Sequence, residues 1–157
     1  LAQPVTRLEV ALGRWFAIVV LTTVLTLAGF ASLAVTNPIV GLDDGIPFVN
    51  LLAACVQSLL LALVFTAAGF AVGAATGQKG ESLAVASALA AVAFLVNGFG
   101  DLVSAVEKVR FLSPWHWFAG SDPLVNGFTV EGTLPALALI VVLVAVGLWR
   151  FDRRDLR

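Results

Sequence analysis

The chain has 157 residues, of which 60% are hydrophobic and 12% are charged, and its mean hydropathy of +1.01 is far above that of an ordinary water-soluble domain. This composition predicts a membrane protein and leaves a soluble all-helical domain with an oversized core as the alternative. The net charge of −1 and the nine scattered basic residues exclude a nucleic-acid partner, which requires a clustered basic face.

The beginning of the chain, LAQPVTRLEVALGR (residues 1–14), has no initiator methionine. It also lacks the basic region, short apolar core and small-residue cleavage site of a signal peptide. We therefore expect the chain to be a fragment of a longer protein. Cys55, the single cysteine, lies in an apolar run and is predicted to be a small buried hydrophobe.

Four apolar stretches are long enough to cross a bilayer as helices. A hydrocarbon core about 30 Å thick requires roughly 20 apolar residues in a helix, because no water is present there to satisfy free backbone groups. None of the four contains Asp, Glu, Lys or Arg. The predicted fold is therefore all-α, a single transmembrane domain over residues 1–157. The spans are residues 15–35, 49–75, 83–99 and 134–149.

The basic residues outside the spans predict the orientation. Seven of the nine lie before the first span, between the second and third, or after the fourth, whereas Lys108 and Arg110 lie between the third and fourth. By the positive-inside rule, segment 1–14 and tail 150–157 are cytoplasmic and residues 100–132 face outward. The seven are Arg7, Arg14, Lys79, Arg150, Arg153, Arg154 and Arg157.

Three glycines mark one face of the second span. Gly69, Gly73 and Gly77 recur every four residues and would let another helix backbone approach closely. Either a second copy of the protein or the third span of the same bundle supplies the facing surface. The candidates on the third span are its small residues Ala84, Ala88 and Ala91.

The spans contain no ionisable side chain other than Cys55, so coupling to an ion or proton gradient is not indicated, and the driving energy is expected to enter from elsewhere. Asn50 and Gln57 are seven residues apart and lie on nearly one helix face. They either line a path or hydrogen-bond to a neighbouring helix. The fourth span has no polar side chain from Leu134 to Leu148, which predicts a helix turned largely toward lipid.

Residues 100–132 are predicted to form a folded outer loop that begins with a short helix lying at the membrane interface. Leu102, Val106 and Val109 share one face of a short helix, and Pro114 disfavours helix at Ser113. The aromatic rings and turn-forming pairs that follow predict a folded, partly dipped outer loop. Its candidate site residues are Pro114, Trp115, His116, Asp122, Pro123, Asn126 and Gly127.

Neither a metal site nor a catalytic group is indicated. His116, the only histidine, has no Cys or carboxylate partner at ligand spacing, and no Ser or Cys nucleophile can be paired with a base. We therefore predict no enzymatic activity and no metal or cofactor bound by this chain. A membrane-embedded enzyme ranks last among the candidate classes.

Three segments resemble the membrane permeases of type 2 ABC exporters, which are bacterial proteins that work with a separate ATP-hydrolysing subunit. LAQPVTRLEVALGRW, residues 1–15, is similar to that family's cytoplasmic "L..PVSR...L.G+" segment. LSPWHWFAGSDPLVNG, residues 112–127, is similar to the "LSPF.....DPL.NG" stretch before its last helix. FDRRDLR, residues 151–157, resembles its basic ending "F.RRDL".

The resemblance implies an ABC permease subunit that forms the translocation path of an exporter in the bacterial plasma membrane. Its four spans would be the last four of six helices, with residues 101–130 as the outer hairpin. The implied partners are an ABC ATPase subunit, which binds ATP and Mg²⁺, and a second permease copy or half. The residues implied to meet the ATPase are Gln3, Pro4, Thr6 and Arg7.

Several alternatives stay open at this point. The full chain has six or twelve helices, and its assembly is a homodimer or a heterodimer. The competing class is a non-transporting membrane scaffold that binds a partner protein through the glycine face of the second span and the outward loop. The transported substrate is not indicated by any residue pattern.

Overall fold

The computed structural model describes residues 6–40, 46–100 and 102–153, and helices form nearly all of these ranges. Four of them are long and apolar enough to cross a membrane, which confirms the predicted all-α membrane bundle. These are α1 (Arg7–Val40), α2 (Phe48–Thr76), α3 (Lys79–Phe99) and α7 (Val130–Asp152). Three short helices lie between α3 and α7, namely α4 (Ser104–Arg110), α5 (Pro114–Ala119) and α6 (Pro123–Asn126).

The long helices alternate in direction, so the bundle has two ends. We call one end the terminal side, because it carries the start of α1, the α2–α3 turn and the end of α7. The other is the hairpin side, where residues 102–129, the hairpin segment, connect α3 to α7. The described basic residues of the two groups therefore lie at opposite ends of the bundle. Those on the terminal side are Arg7, Arg14, Lys79, Arg150 and Arg153, and those on the hairpin side are Lys108 and Arg110.

Three of the long helices begin well before the apolar runs that predicted them. Helix α1 begins at Arg7, and α7 begins at Val130 behind an N-cap in which Thr129 Oγ1 accepts a hydrogen bond from Gly132 N at 3.3 Å. Hydropathy detects only the part of a helix that is immersed in hydrocarbon. The helix itself continues for as long as its backbone bonds and caps are satisfied.

The turn between α2 and α3 is very short. Gly77 ends α2 with φ 72°, a left-handed conformation that glycine adopts without steric cost, and its N–H donates to Gly73 O at 2.8 Å. Gln78 is extended, and α3 begins at Lys79. The two helices are therefore antiparallel neighbours.

Helix α2 is the centre of the bundle, and α1, α3, α5, α6 and α7 all pack against it. The core joins α2 to α7 through Ala136 and Ile140. Gly147 of α7 lies so close to α2 that an added Cβ would be 3.0 Å from the Phe70 ring and 3.1 Å from Ala71 Cα. The α2 members of the core are Leu60, Leu63, Val64 and Ala67.

The prediction that the fourth span is turned largely toward lipid holds for one face of α7, where Leu134, Val141 and Val142 are exposed, but not for the face that packs on α2. The small residues of α7 form a smooth face on which α2 packs closely, and such apolar packing needs no polar side chain. Of the long helices, α3 contributes little to the core, because Ala93 is its one buried residue.

Many large apolar side chains point away from the bundle. Phe16 is 70% exposed, Leu83 65% and Val141 65%. Exposed apolar surface on this scale is incompatible with a monomer in water but is what hydrocarbon requires of its solute.

Candidate functional site

Asn50, in the first turn of α2, holds the end of α6. Its Nδ2 donates to Leu124 O and to Val125 O, both at 2.9 Å. Gly127 follows α6 with φ 70°, and an added Cβ there would lie 3.0 Å from Asn50 Oδ1. One amide side chain thus fixes the return of the hairpin segment toward α7.

Gln57, two turns deeper on the same helix, forms the second polar contact. Its side chain is 3% exposed, and its Oε1 accepts a hydrogen bond from Ser121 Oγ at 2.7 Å. Gln57 Nε2 is buried without a partner among the described residues. The sequence left two roles open for Asn50 and Gln57, namely lining a path or hydrogen-bonding to a neighbouring helix. The described structure shows hydrogen bonds between both side chains and the hairpin segment.

Gly132 lies where α7, α5 and α2 meet. An added Cβ would be 2.8 Å from Trp117 O, 2.9 Å from Ser121 Oγ and 3.0 Å from Gln57 Nε2. A backbone carbonyl at 2.8 Å cannot move aside as a flexible side chain does. Only a residue without a Cβ therefore lets α7 begin this close to α5.

The start of α5 is anchored on α3. Ser113 is buried, and its Oγ donates to Ala93 O at 2.8 Å. Its backbone is extended, as the following proline predicts, and Pro114 is the first residue of α5. The Trp115 ring meets the Phe94 ring edge-on at 5.4 Å. The hairpin segment is therefore attached to α3 as well as to α2.

The second half of the hairpin segment is closed by local bonds. Asp122 has φ 40°, an uncommon conformation for a residue other than glycine, and it precedes Pro123, the buried first residue of α6. Asn126 Nδ2 donates to Ser121 O at 3.0 Å. These two predicted turn residues thus shape the loop, and neither forms part of an ion-binding cluster in the described chain.

His116 lies on α5 and is half-buried, with Nδ1 shielded from solvent and without a hydrogen-bond partner among the described residues. Trp115 Nε1 is also shielded from solvent and without a hydrogen-bond partner among the described residues, whereas Trp117 Nε1 donates to Phe111 O at 2.7 Å. Within the described ranges, no group of His, Cys, Asp and Glu side chains is arranged to hold a metal ion.

The glycine face of α2 is covered by α3. An added Cβ at Gly69 would lie 3.3 Å from Ala86 Cβ, and one at Gly73 would lie 3.3 Å from Ser82 Oγ. Ser82 Oγ also donates to Gly69 O at 2.6 Å. Gly77 has a different role, because it ends α2. The small residues suggested for the facing surface, Ala84, Ala88 and Ala91, are exposed instead.

The segment implied to meet an ATPase is partly described. Gln3 and Pro4 lie outside the described residues, and Arg7 is the first residue of α1. Thr6 and Glu9 cap the helix reciprocally: Thr6 N donates to Glu9 Oε2 at 2.8 Å and Glu9 N donates to Thr6 Oγ1 at 3.3 Å. Residues 7–14 are therefore one rigid piece with the membrane helix that follows.

The bundle has a groove on each side. The larger, on the terminal side, measures about 870 Å³ and lies between the start of α1, the end of α2 and the start of α3. The smaller, about 430 Å³, lies beside the hairpin segment between α2, α3 and α7, and none of its described lining residues is charged. We call them the terminal groove and the hairpin-side groove.

Four contact residues were not predicted from the sequence. Ser82, Ser113, Ser121 and Gly132 are small residues whose importance depends on which helix they face, and composition does not reveal that. The Ser113–Pro114 pair was the one available signal, because a serine before a proline often starts a short helix.

Four apolar helices, together with a hairpin segment that is attached to them by hydrogen bonds, define a multi-pass membrane protein. The sequence model of the "ABC-2 family transporter protein" family matches residues 1–156. The chain therefore belongs to the ABC-2 transporter family and is a membrane permease component of an ABC transporter. No curated protein and no solved structure matches the chain significantly.

Proposed function

We propose that the chain is the translocation subunit of an exporter, driven by ATP hydrolysis on a separate ATPase subunit. The proposed orientation in a bacterial plasma membrane places the terminal side in the cytoplasm and the hairpin segment outside. ATP and Mg²⁺ would bind to the ATPase, and a second permease copy or half would complete the path. The chain itself would bind no cofactor.

The observation that carries the proposal is the continuity of α1. This helix has 34 residues, which corresponds to about 51 Å at 1.5 Å per residue, whereas the hydrocarbon core is about 30 Å thick. Residues 7–14 extend it by about two turns on the terminal side. A movement imposed on this extension would be transmitted to the membrane span without a flexible joint between them.

Packing at the same place supports this role. Ala11, within the extension, is 1% exposed, so the helix is already held against the bundle before it enters the hydrocarbon. The Thr6–Glu9 cap keeps the first turn helical at the end where a partner would attach. The basic residues on this side also favour the cytoplasmic assignment.

The first experiment tests whether the protein associates with a separate ATPase subunit. The full-length protein should co-purify with a soluble ATPase subunit, and replacing Pro4 and Arg7 together should weaken that association and uncouple ATP hydrolysis from export. Lys108→Ala, on the hairpin side, is the matched control and should leave both unchanged. Normal export and ATPase association in the Pro4 and Arg7 double variant would contradict the proposal.

A non-transporting scaffold is the competing hypothesis, and one of the two surfaces that it uses is covered within the chain. That hypothesis required the glycine face of α2 and the outward loop to be free for a partner protein. Ser82 and Ala86 of the same chain cover Gly69 and Gly73 instead. Gly69 and Gly73 therefore account for packing within the bundle.

A further inference from the structure

The terminal groove has largely apolar walls. Helices α1, α2, α3 and α7 all contribute to it. Many of the side chains that form its wall are apolar, and Leu83, on its α3 side, is 65% exposed. The apolar wall includes Ala11, Ile18, Phe70, Ala74, Leu83 and Phe151.

The rim of this groove is basic. Arg14, immediately before the apolar part of α1, and Lys79, the first residue of α3, both line it. Gln78 adds a polar side chain between α2 and α3. None of the described residues that line the groove is acidic, so the two positive charges face it without a carboxylate among its walls.

Such a groove cannot stay empty in a bilayer. Its volume of about 870 Å³ is that of roughly 30 water molecules at about 30 Å³ each, and water deep between apolar walls would lack hydrogen-bond partners. The volume also lies within the range of about 300–1,000 Å³ typical of ligand pockets. An acyl chain is the apolar filler that the surrounding leaflet supplies.

We propose that the terminal groove binds a phospholipid with a net negative charge from the adjoining leaflet. One acyl chain lies along the apolar wall between Phe70 and Leu83, and the phosphate lies at the rim between Arg14 and Lys79. This inference depends on the groove and its charges, and it holds whether or not the chain exports a substrate.

The charges decide which headgroup is preferred. A basic side chain near a membrane surface attracts anionic lipid by about 1 kcal/mol, so two of them favour an anionic over a zwitterionic headgroup by roughly thirtyfold. The described lining of the hairpin-side groove carries no charge, and this groove should take an acyl chain without selecting the headgroup.

The test measures lipid retention by native mass spectrometry. The full-length protein is incubated with equal amounts of phosphatidylglycerol and phosphatidylcholine, and the ratio of bound lipids is recorded. Arg14→Gln with Lys79→Gln should abolish most of the preference for phosphatidylglycerol. The matched control is Arg150→Gln with Arg153→Gln, which makes the same change of charge on the same side but outside the groove. In this control the preference should persist.

A second pair of variants tests the apolar wall. Leu83→Trp should fill the groove and reduce retention of both lipids, whereas Val92→Trp, on the same helix but in the hairpin-side groove, should leave the phosphatidylglycerol preference intact. Helix content by circular dichroism confirms that each variant is folded. These substitutions separate loss of the site from loss of the fold.

Two results would overturn the inference. One is an unchanged lipid ratio in the Arg14 and Lys79 double variant. The other is a photoreactive side chain at position 83 that cross-links to peptide rather than to lipid, because a further segment of the protein or a second copy would then occupy the groove.

Discussion

At the scale of single residues, Gly132 limits how closely α7 can approach the hairpin segment. The site where its Cβ would lie is 2.8 Å from Trp117 O. Gln57 and Ser121 close the same space from two other directions. A methyl group there must move a backbone segment or break the Gln57–Ser121 bond.

Gly132→Ala is therefore expected to lower stability by about 1–3 kcal/mol, the usual cost of overpacking. Thermal unfolding of the purified protein in detergent measures this as a lower Tm. Gly29→Ala is the matched control, since Gly29 is also helical but has no atom within 4 Å of its Cβ position. That variant should unfold at the same or a slightly higher temperature, because alanine favours helix over glycine. Equal Tm values for the two variants would show that α7 is not held this close.

At the scale of helices, α1 joins the terminal segment to the membrane span without a break. Gly13 lies inside this helix, and an added Cβ there would meet no atom within 4 Å. The position therefore tolerates a side chain, and a substitution tests the backbone rather than the packing.

Gly13→Pro should break the helix between the extension and the span, because proline removes a backbone hydrogen bond and costs about 3 kcal/mol or more in a helix interior. In the reconstituted complex, we expect ATP hydrolysis to fall to the rate of the isolated ATPase subunit. Gly13→Ala should keep the parental rate. Co-purification of the ATPase with both variants shows that assembly is retained, and parental activity of the proline variant would argue against transmission through α1.

The long helices also show how much of the fold could be predicted from the sequence. The four spans were predictable because hydrocarbon demands long uncharged stretches. The surface of α3 that contacts α2 could not be predicted. Ala84 is two residues beyond Ser82, the residue that contacts α2, and at 3.6 residues per turn this is a rotation of about 200°. Alanines populate nearly every face of α3, so only the two-residue turn and the Ser82–Gly69 bond fix which face is inward.

The hairpin segment also has some features that could be predicted from the sequence and others that could not. Its short helix, its extended Ser113 and its turns follow from local sequence, since proline and glycine act on their immediate neighbours. Its attachment to α2 depends on Asn50 and Gln57, which are more than 60 residues away from their partners Leu124 and Ser121. Sequence spacing showed that Asn50 and Gln57 share a face, but it could not show what that face meets.

At the scale of the whole molecule, the two ends differ in charge. Arg14, Lys79 and the arginines at the end of α7 lie on the terminal side, and Arg153 lies over the Trp149 ring at 4.5 Å from its centroid. A tryptophan flanked by arginines at a helix end is typical of a membrane interface. We therefore expect the terminal side to face the cytoplasm and the hairpin segment to face outward.

Single-cysteine labelling of intact cells tests this orientation. Cys55 is buried in α2 and is first replaced by alanine, which leaves one introduced thiol as the target. Val125→Cys, at a position that is 69% exposed on α6, should react with a membrane-impermeant maleimide added outside. Lys79→Cys and Arg153→Cys should react only after the membrane is permeabilised. The reverse pattern would place the basic end outside, and the residues proposed to meet the ATPase could then not reach a cytoplasmic partner.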